Sequence, residues 1–110
     1  MPVTRSEKVW INAYRKSLKK LGPKKIRTML LFGSKARGDD NADSDLDILL
    51  IVPNRAAGLK RKLRRIGYLL AAGTEVMPSI MVYTEEEWED RNVSGSPFHR
   101  AVERDQVRLL

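Results

Sequence analysis

The chain has 110 residues, 21 Lys+Arg against 14 Asp+Glu, a net charge of +7 and no cysteine. That length suits one domain with one compact core, and the missing cysteines exclude a disulfide framework and any thiolate metal site. No apolar run approaches the ~20 residues that cross a bilayer, the start MPVTRSEKVW has no signal-peptide core, and a cytoplasmic protein is the expectation.

Thr4-x-x-Glu7 reads as a capping box. Val9, Trp10, Ala13, Tyr14, Leu18 and Leu21 then recur at helical spacing until Gly22-Pro23, which predicts a helix at about 5–21. The apolar run Ile26–Phe32 predicts a first strand, ended by Gly33. SKARGDDNAD is rich in turn residues, with Ala36 and Arg37 able to start a short helix. DLDILLIV at 45–52 predicts a second strand. Its later half is apolar on both faces, as a central strand requires. Leu59, Leu63, Ile66 and Leu70 mark one face of a helix at about 56–72, closed by Gly73. Its other face carries Lys60, Arg61, Lys62, Arg64 and Arg65.

A third strand is expected at about 75–83. Pro78 inside it removes a ladder donor and points to an edge or a bulge. Thr84-x-x-Glu87 opens a short helix through Trp88, NVSGSP reads as a loop, and Ser96-Pro97 caps a last helix at about 97–105. A short apolar end, Val107–Leu110, follows. The order α-β-β-α-β-α predicts an α/β (α+β) fold, one small mixed sheet flanked by helices in a single domain over 1–110.

The charge is blocked along the chain. Residues 1–32 carry nine basic groups and one acid, Glu7; residues 55–74 carry six basic groups and no acid. Between them, residues 33–54 set Lys35 and Arg37 against five aspartates at 39, 40, 43, 45 and 47. An acidic island in a basic chain needs a cause. Asp45 and Asp47 are two apart on a strand, so both carboxylates share one face while Leu46 and Ile48 face the core. Such a pair repels itself unless a cation bridges it. Oxygen-only ligands suit Mg²⁺ or Mn²⁺. Gly33 and Ser34 end the preceding strand, where a glycine lets backbone approach a ligand and helix-start N–H groups receive phosphate. Ser34, Lys35 and Arg37 can add contacts to a triphosphate. Alone, each feature reads as an ordinary turn or a solvated strand end; together they make a phosphoryl-transfer site coherent.

Two competing motifs fail on spacing. Gly33-SKAR-Gly38 has P-loop glycines, but Asp39 stands where the lysine must be. Asp39, Asn41 and Asp43 start like an EF-hand, but Ser44 replaces its glycine and Leu50 its bidentate glutamate.

The stretch LFGSKARGDDNADSDLDILLIV resembles the nucleotidyltransferase superfamily of DNA polymerase β: Gly33-Ser34, ten residues, then Asp45-Leu46-Asp47 entering an apolar strand. Arg37, Gly38 and Ser44 match the wording GSxARG…SDxD of the minimal, stand-alone prokaryotic branch. The resemblance implies a polymerase β-like fold and transfer of a nucleoside monophosphate from a nucleoside triphosphate to an acceptor, a protein, an RNA or a small molecule. It implies that Gly33 and Ser34 hold the triphosphate and that Asp45 and Asp47 bind two Mg²⁺ ions. Arg37 then supports the turn, contacts phosphate or pairs with local aspartates. The family's third carboxylate falls near Ser79, where the sequence EVMPSIMVY has no acid. Glu75 shares that strand face by parity and reaches the site only if Pro78 bends the strand. The resemblance also implies a small helical HEPN-type protein as partner, in a toxin–antitoxin pair. A nucleotide-binding module without turnover is the alternative function.

His99 is expected to be a surface or helix-packing residue, Trp10, Tyr14 and Trp88 to be core or subunit contacts, and Met77 and Met81 to be core. The basic helix face is either solvated or steers nucleotide, RNA or an acidic partner. With no recognisable RNA- or DNA-binding module, nucleic acid is not the expected partner. An exposed third-strand edge permits a homodimer.

Overall fold

The computed structural model describes residues 3–38 and 45–110. Asp39, Asp40, Asp43 and Ser44 of the acidic island lie outside the described residues. The elements run α1 (Arg5–Leu21), β1 (Thr28–Phe32), α2 (Gly33–Arg37), β2 (Leu46–Val52), a 3₁₀ segment (Asn54–Leu59), α3 (Lys60–Ala71), β3 (Pro78–Thr84), α4 (Glu85–Val93), α5 (Pro97–Asp105) and β4 (Val107–Arg108). The strands form one mixed sheet in the order β3-β2-β1-β4. β1 is antiparallel to β2 and β4, and β2 is parallel to β3.

Alternation along the strands sorts side chains to two faces. On one, Met29, Leu31, Leu46, Ile48, Leu50, Val52, Ile80 and Val82 meet Trp10, Ile11, Tyr14 and Leu18 of α1 and Leu63 of α3. On the other, Leu30 and Leu49 meet Trp88 of α4 and Val102 of α5, with Phe32, Tyr83 and Phe98 around them. The result is a three-layer α/β/α domain, which agrees with the predicted class.

Both capping boxes form. Thr4 Oγ1 accepts from Glu7 N–H and Glu7 Oε1 from Thr4 N–H; Thr84 and Glu87 repeat the exchange. α1 is held to α3 by two buried bonds, Trp10 Nε1 donating to Gly67 O at 2.9 Å and the Tyr14 hydroxyl to Leu63 O at 2.7 Å. Burial pushes the Tyr14 hydroxyl's pKa up. The contact depends on Gly67: a Cβ there would lie 2.9 Å from Tyr14 Cζ and 2.5 Å from Ile80 Cδ1. Alanine is the better helix former, yet Gly67→Ala is expected to lower stability by about 1–3 kcal/mol through overpacking. Urea unfolding checks this; a gain in stability would show that the helices part freely.

Four expectations change. The third strand starts at Pro78, not at 75, because a first-position proline needs no ladder donor. Met77 is 65% exposed rather than core. The helix after Thr84 continues to Val93, more than a turn past Trp88, and only residues 94–96 separate it from α5. The apolar C-terminal run pairs with β1 as β4. β3 is an edge strand, as the proline suggested, but its outward donors are partly occupied. Ile80 N–H donates to the Tyr68 hydroxyl at 3.2 Å and Thr84 N–H to Glu87 Oε1 at 2.8 Å. Both contacts work against pairing with a second copy along that edge.

Candidate active site

β1 and β2 open together at one end of the sheet, and the sequence there changes from apolar to acidic. Asp47 stands on the α4/α5 face, the face of Leu49, while Leu46 and Ile48 are fully buried on the other. In register its neighbours are Phe32 on β1 and Ser79 on β3. Asp45, two residues earlier, is exposed just before the strand begins. Asp47 thus stands at the strand mouth and Asp45 at its rim, outside the strand, so alternation does not by itself put both on one face; Asp45 is near enough for its charge to act on Asp47.

Gly33 is built against Asp47. Its φ of 76° is one that side chains rarely adopt, and a Cβ there would overlap Asp47 Oδ2 and lie 3.2 Å from Cγ. Glycine at 33 is thus required twice, by backbone conformation and by the approach of the Asp47 carboxylate. The turn that follows, α2, sets Ser34 half-buried beside the same opening.

Burial, then Asp45, raises the pKa of the Asp47 carboxyl, with the Arg37 guanidinium opposing them. A carboxyl pressed between an apolar wall and a like charge is a donor set that a cation would relieve. Two carboxylates open to solvent suit Mg²⁺, which keeps waters and substrate phosphates in its shell. Among the described residues no group of three or more His, Cys, Asp and Glu converges on a metal position. Ser79, in register with Asp47, puts a hydroxyl where the resemblance expects the third acid. Glu75 lies outside β3, exposed, so the parity that put it on the strand face does not apply.

Lys35 does not face the opening as expected. It is fully buried, its Nζ donating to Glu7 Oε1 at 3.0 Å, and Glu7 is itself 5% exposed. The expected contact to a triphosphate gives way to a buried ion pair that fastens α2 to the start of α1. The sequence carried one signal of it: Glu7 is the only acid in the first 32 residues.

Arg37 reaches across to α5. Its Nη1 lies 3.0 Å from Asp105 Oδ2, while Arg104 Nε lies 2.8 Å from Oδ1. Arg104 above all holds the Asp105 carboxyl down to about 2 against the opposing effect of burial, with Arg37 adding to it. Arg37 thus supports the turn, as one of its expected roles required, through an aspartate 68 residues away on α5, and its charge also acts on Asp47 nearby. Because the folded value lies below the ordinary 3.8, the stability it supplies is present above that value and is lost as pH falls towards 2. Asp105→Asn should flatten the decline in urea midpoint between about pH 4 and pH 2; an unchanged decline would place the acid sensitivity elsewhere. His99 is buried against Trp88, ring centroids 4.5 Å apart, which makes it a packing residue.

The fold and its acid pair define an α/β domain organised around a Gly-Ser turn and an Asp-x-Asp strand mouth. The profile of the family described as "Nucleotidyltransferase domain" matches residues 11–105, and the chain belongs to that family of enzymes. Two solved structures share the fold. One is a proposed nucleotidyltransferase from Sulfolobus solfataricus, with 21% identity, 94% of this chain and 81% of that chain covered, and a TM-score of 0.52. The other is described as a toxin–antitoxin with AMP-PNP, with 19% identity, 91% and 72% covered, and a TM-score of 0.53. No curated protein matches significantly. Among the described residues, no helix is long and apolar enough to cross a membrane.

Proposed function

We propose that the chain is a Mg²⁺-dependent nucleotidyltransferase that moves a nucleoside monophosphate from a nucleoside triphosphate to an acceptor and releases pyrophosphate. The observation that carries this is Gly33 packed so closely on Asp47 that no side chain fits between the turn and the carboxylate. Asp45 and Asp47 would hold the metal; when bound, Mg²⁺ neutralises the developing phosphate charge and polarises the reacting oxygens. The chain's own part is positional. The Gly33-Ser34 turn receives the phosphates, and Asp47, kept near an apolar wall at Phe32, offers its oxygens to the opening. Arg37 and Lys35 fix the turn from α5 and α1.

The test is incubation with labelled triphosphates, Mg²⁺ and candidate acceptors, including a co-purified partner. Label transfer that disappears in the Asp45→Asn/Asp47→Asn double variant supports the reading. Label transfer unaffected by both substitutions counts against it.

A second reading is favoured by Ser79. With a hydroxyl at the third acid's register position, the domain binds nucleotide without turnover and serves as the antitoxin partner of a HEPN-type protein. The toxin–antitoxin relative with AMP-PNP supports it. Calorimetry separates the two: Mg²⁺ with a non-hydrolysable triphosphate binds in both, and pyrophosphate release from a natural triphosphate occurs only in the first.

A further inference from the structure

The site above uses the sheet's open end and leaves the most densely basic element, α3, without a role. Of its cations, Lys60 is committed to Glu87, Nζ to Oε1 at 2.6 Å. Arg61, Arg64 and Arg65 make no ion pair or hydrogen bond to any described residue. With Tyr68 and Leu69 they line an open groove of about 570 Å³. The spacing i, i+3, i+4, i+7 puts Arg61, Arg64, Arg65 and Tyr68 on one helix face.

The groove has a direction. The Tyr68 hydroxyl accepts from Ile80 N–H, so this flank of α3 borders the β3 edge. That bond also fixes a ring that is 44% exposed. Uncompensated guanidinium groups on one face disfavour each other and call for an anionic ligand. Their planar forks match phosphate oxygens in particular. An aromatic ring held at the end of a cationic, shallow groove is the combination that takes a single nucleic-acid strand, phosphates on the arginines and a base on the ring. An acidic protein would satisfy the charge but leaves the oriented ring without a use.

We propose that the α3 groove binds a single-stranded nucleic acid through Arg61, Arg64, Arg65 and Tyr68. The binding is independent of sequence, since every contact is to phosphate or to a base face. It does not depend on metal at Asp45 and Asp47, so it can fail or hold independently of nucleotidyl transfer.

The experiment is fluorescence anisotropy of the full chain with a labelled single-stranded 12-mer, without nucleotide, across a salt series. Removing three phosphate contacts should reduce the salt slope by about 2 and weaken binding about 100-fold at 0.1 M salt. Arg61→Gln/Arg64→Gln/Arg65→Gln is therefore expected to show both changes, with melting temperature as the folding control. Lys16→Gln/Lys19→Gln/Lys20→Gln, the same charge removed from α1, is expected to leave affinity within a few-fold. Tyr68→Ala should weaken binding about 5- to 150-fold while Tyr68→Phe retains it, since loss of one stacked base is worth about 1–3 kcal/mol. Equal losses from the α1 and α3 triples, or displacement of the 12-mer by polyglutamate of equal charge at equal concentration, would overturn the proposal. So would absence of binding at 50 mM salt.

Discussion

Asp47→Asn is expected to leave the metal-free protein more stable than the parent at neutral pH and to remove nucleotidyl transfer. The two effects share one cause. Burial and Asp45 hold the folded Asp47 carboxyl above its ordinary value. The unfolded chain therefore gives up that proton first, and stability falls as pH rises from the ordinary value through the folded one. Asparagine keeps the shape and abolishes the ionisation, so this decline disappears. The same charge that costs the empty fold is the one that would hold Mg²⁺. Loss of even an outer-shell partner of a bound metal commonly costs about 10–100-fold, so loss of the carboxylate should reduce transfer by at least about 100-fold. Urea unfolding from pH 4 to 8, beside label transfer, checks both halves. A variant that is less stable than the parent and fully active would contradict the site.

Glu7→Ala is expected to be among the most destabilising single substitutions away from the apolar core. It removes the carboxylate that accepts Lys35 Nζ at 3.0 Å and takes the capping box apart as well. Removing one partner of a buried ion pair costs about 3–5 kcal/mol. That is a large share of the roughly 5–15 kcal/mol that holds a domain together. Replacing both members together, Glu7→Gln with Lys35→Met, should recover much of the loss, since neither charge then needs solvation. Urea midpoints of the single and double variants decide it. Glutamine at position 7 keeps the cap's acceptor, so a double variant no better than Glu7→Gln alone would mean that the Glu7–Lys35 charge pair does not carry the effect. Lys35→Met in an otherwise unchanged chain is expected to weaken nucleotide binding only through the position of α2.

The structure-forming signals that were local were readable from the residues alone. Thr4-x-x-Glu7 and Gly22-Pro23 bracket α1 at both ends, and Asp45–Val52 reads as a strand because its apolar positions are continuous where β1 and β3 flank it. The resemblance over Gly33–Asp47 was readable for the same reason: its residues are close in sequence. The signals that failed were non-local. Lys35 reads as a free cation in a turn because its partner, Glu7, is 28 residues away. The bond from Arg37 to Asp105, 68 residues away, is hidden for a similar reason. The start of β3 depends on Leu46 N–H donating to Met77 O, a contact that no pattern within EVMPSIMVY announces. Tyr68 looks like an ordinary exposed ring until the β3 edge is placed beside it.

Everything proposed for the site rests on Asp45 and Asp47 holding a metal beside the Gly33-Ser34 turn. Water-proton relaxation in a Mn²⁺ titration with a non-hydrolysable triphosphate tests it most directly. Enhanced relaxation is expected with the parent chain, and its loss in Asp45→Asn/Asp47→Asn at unchanged melting temperature or above. Undiminished enhancement in the double variant would contradict it.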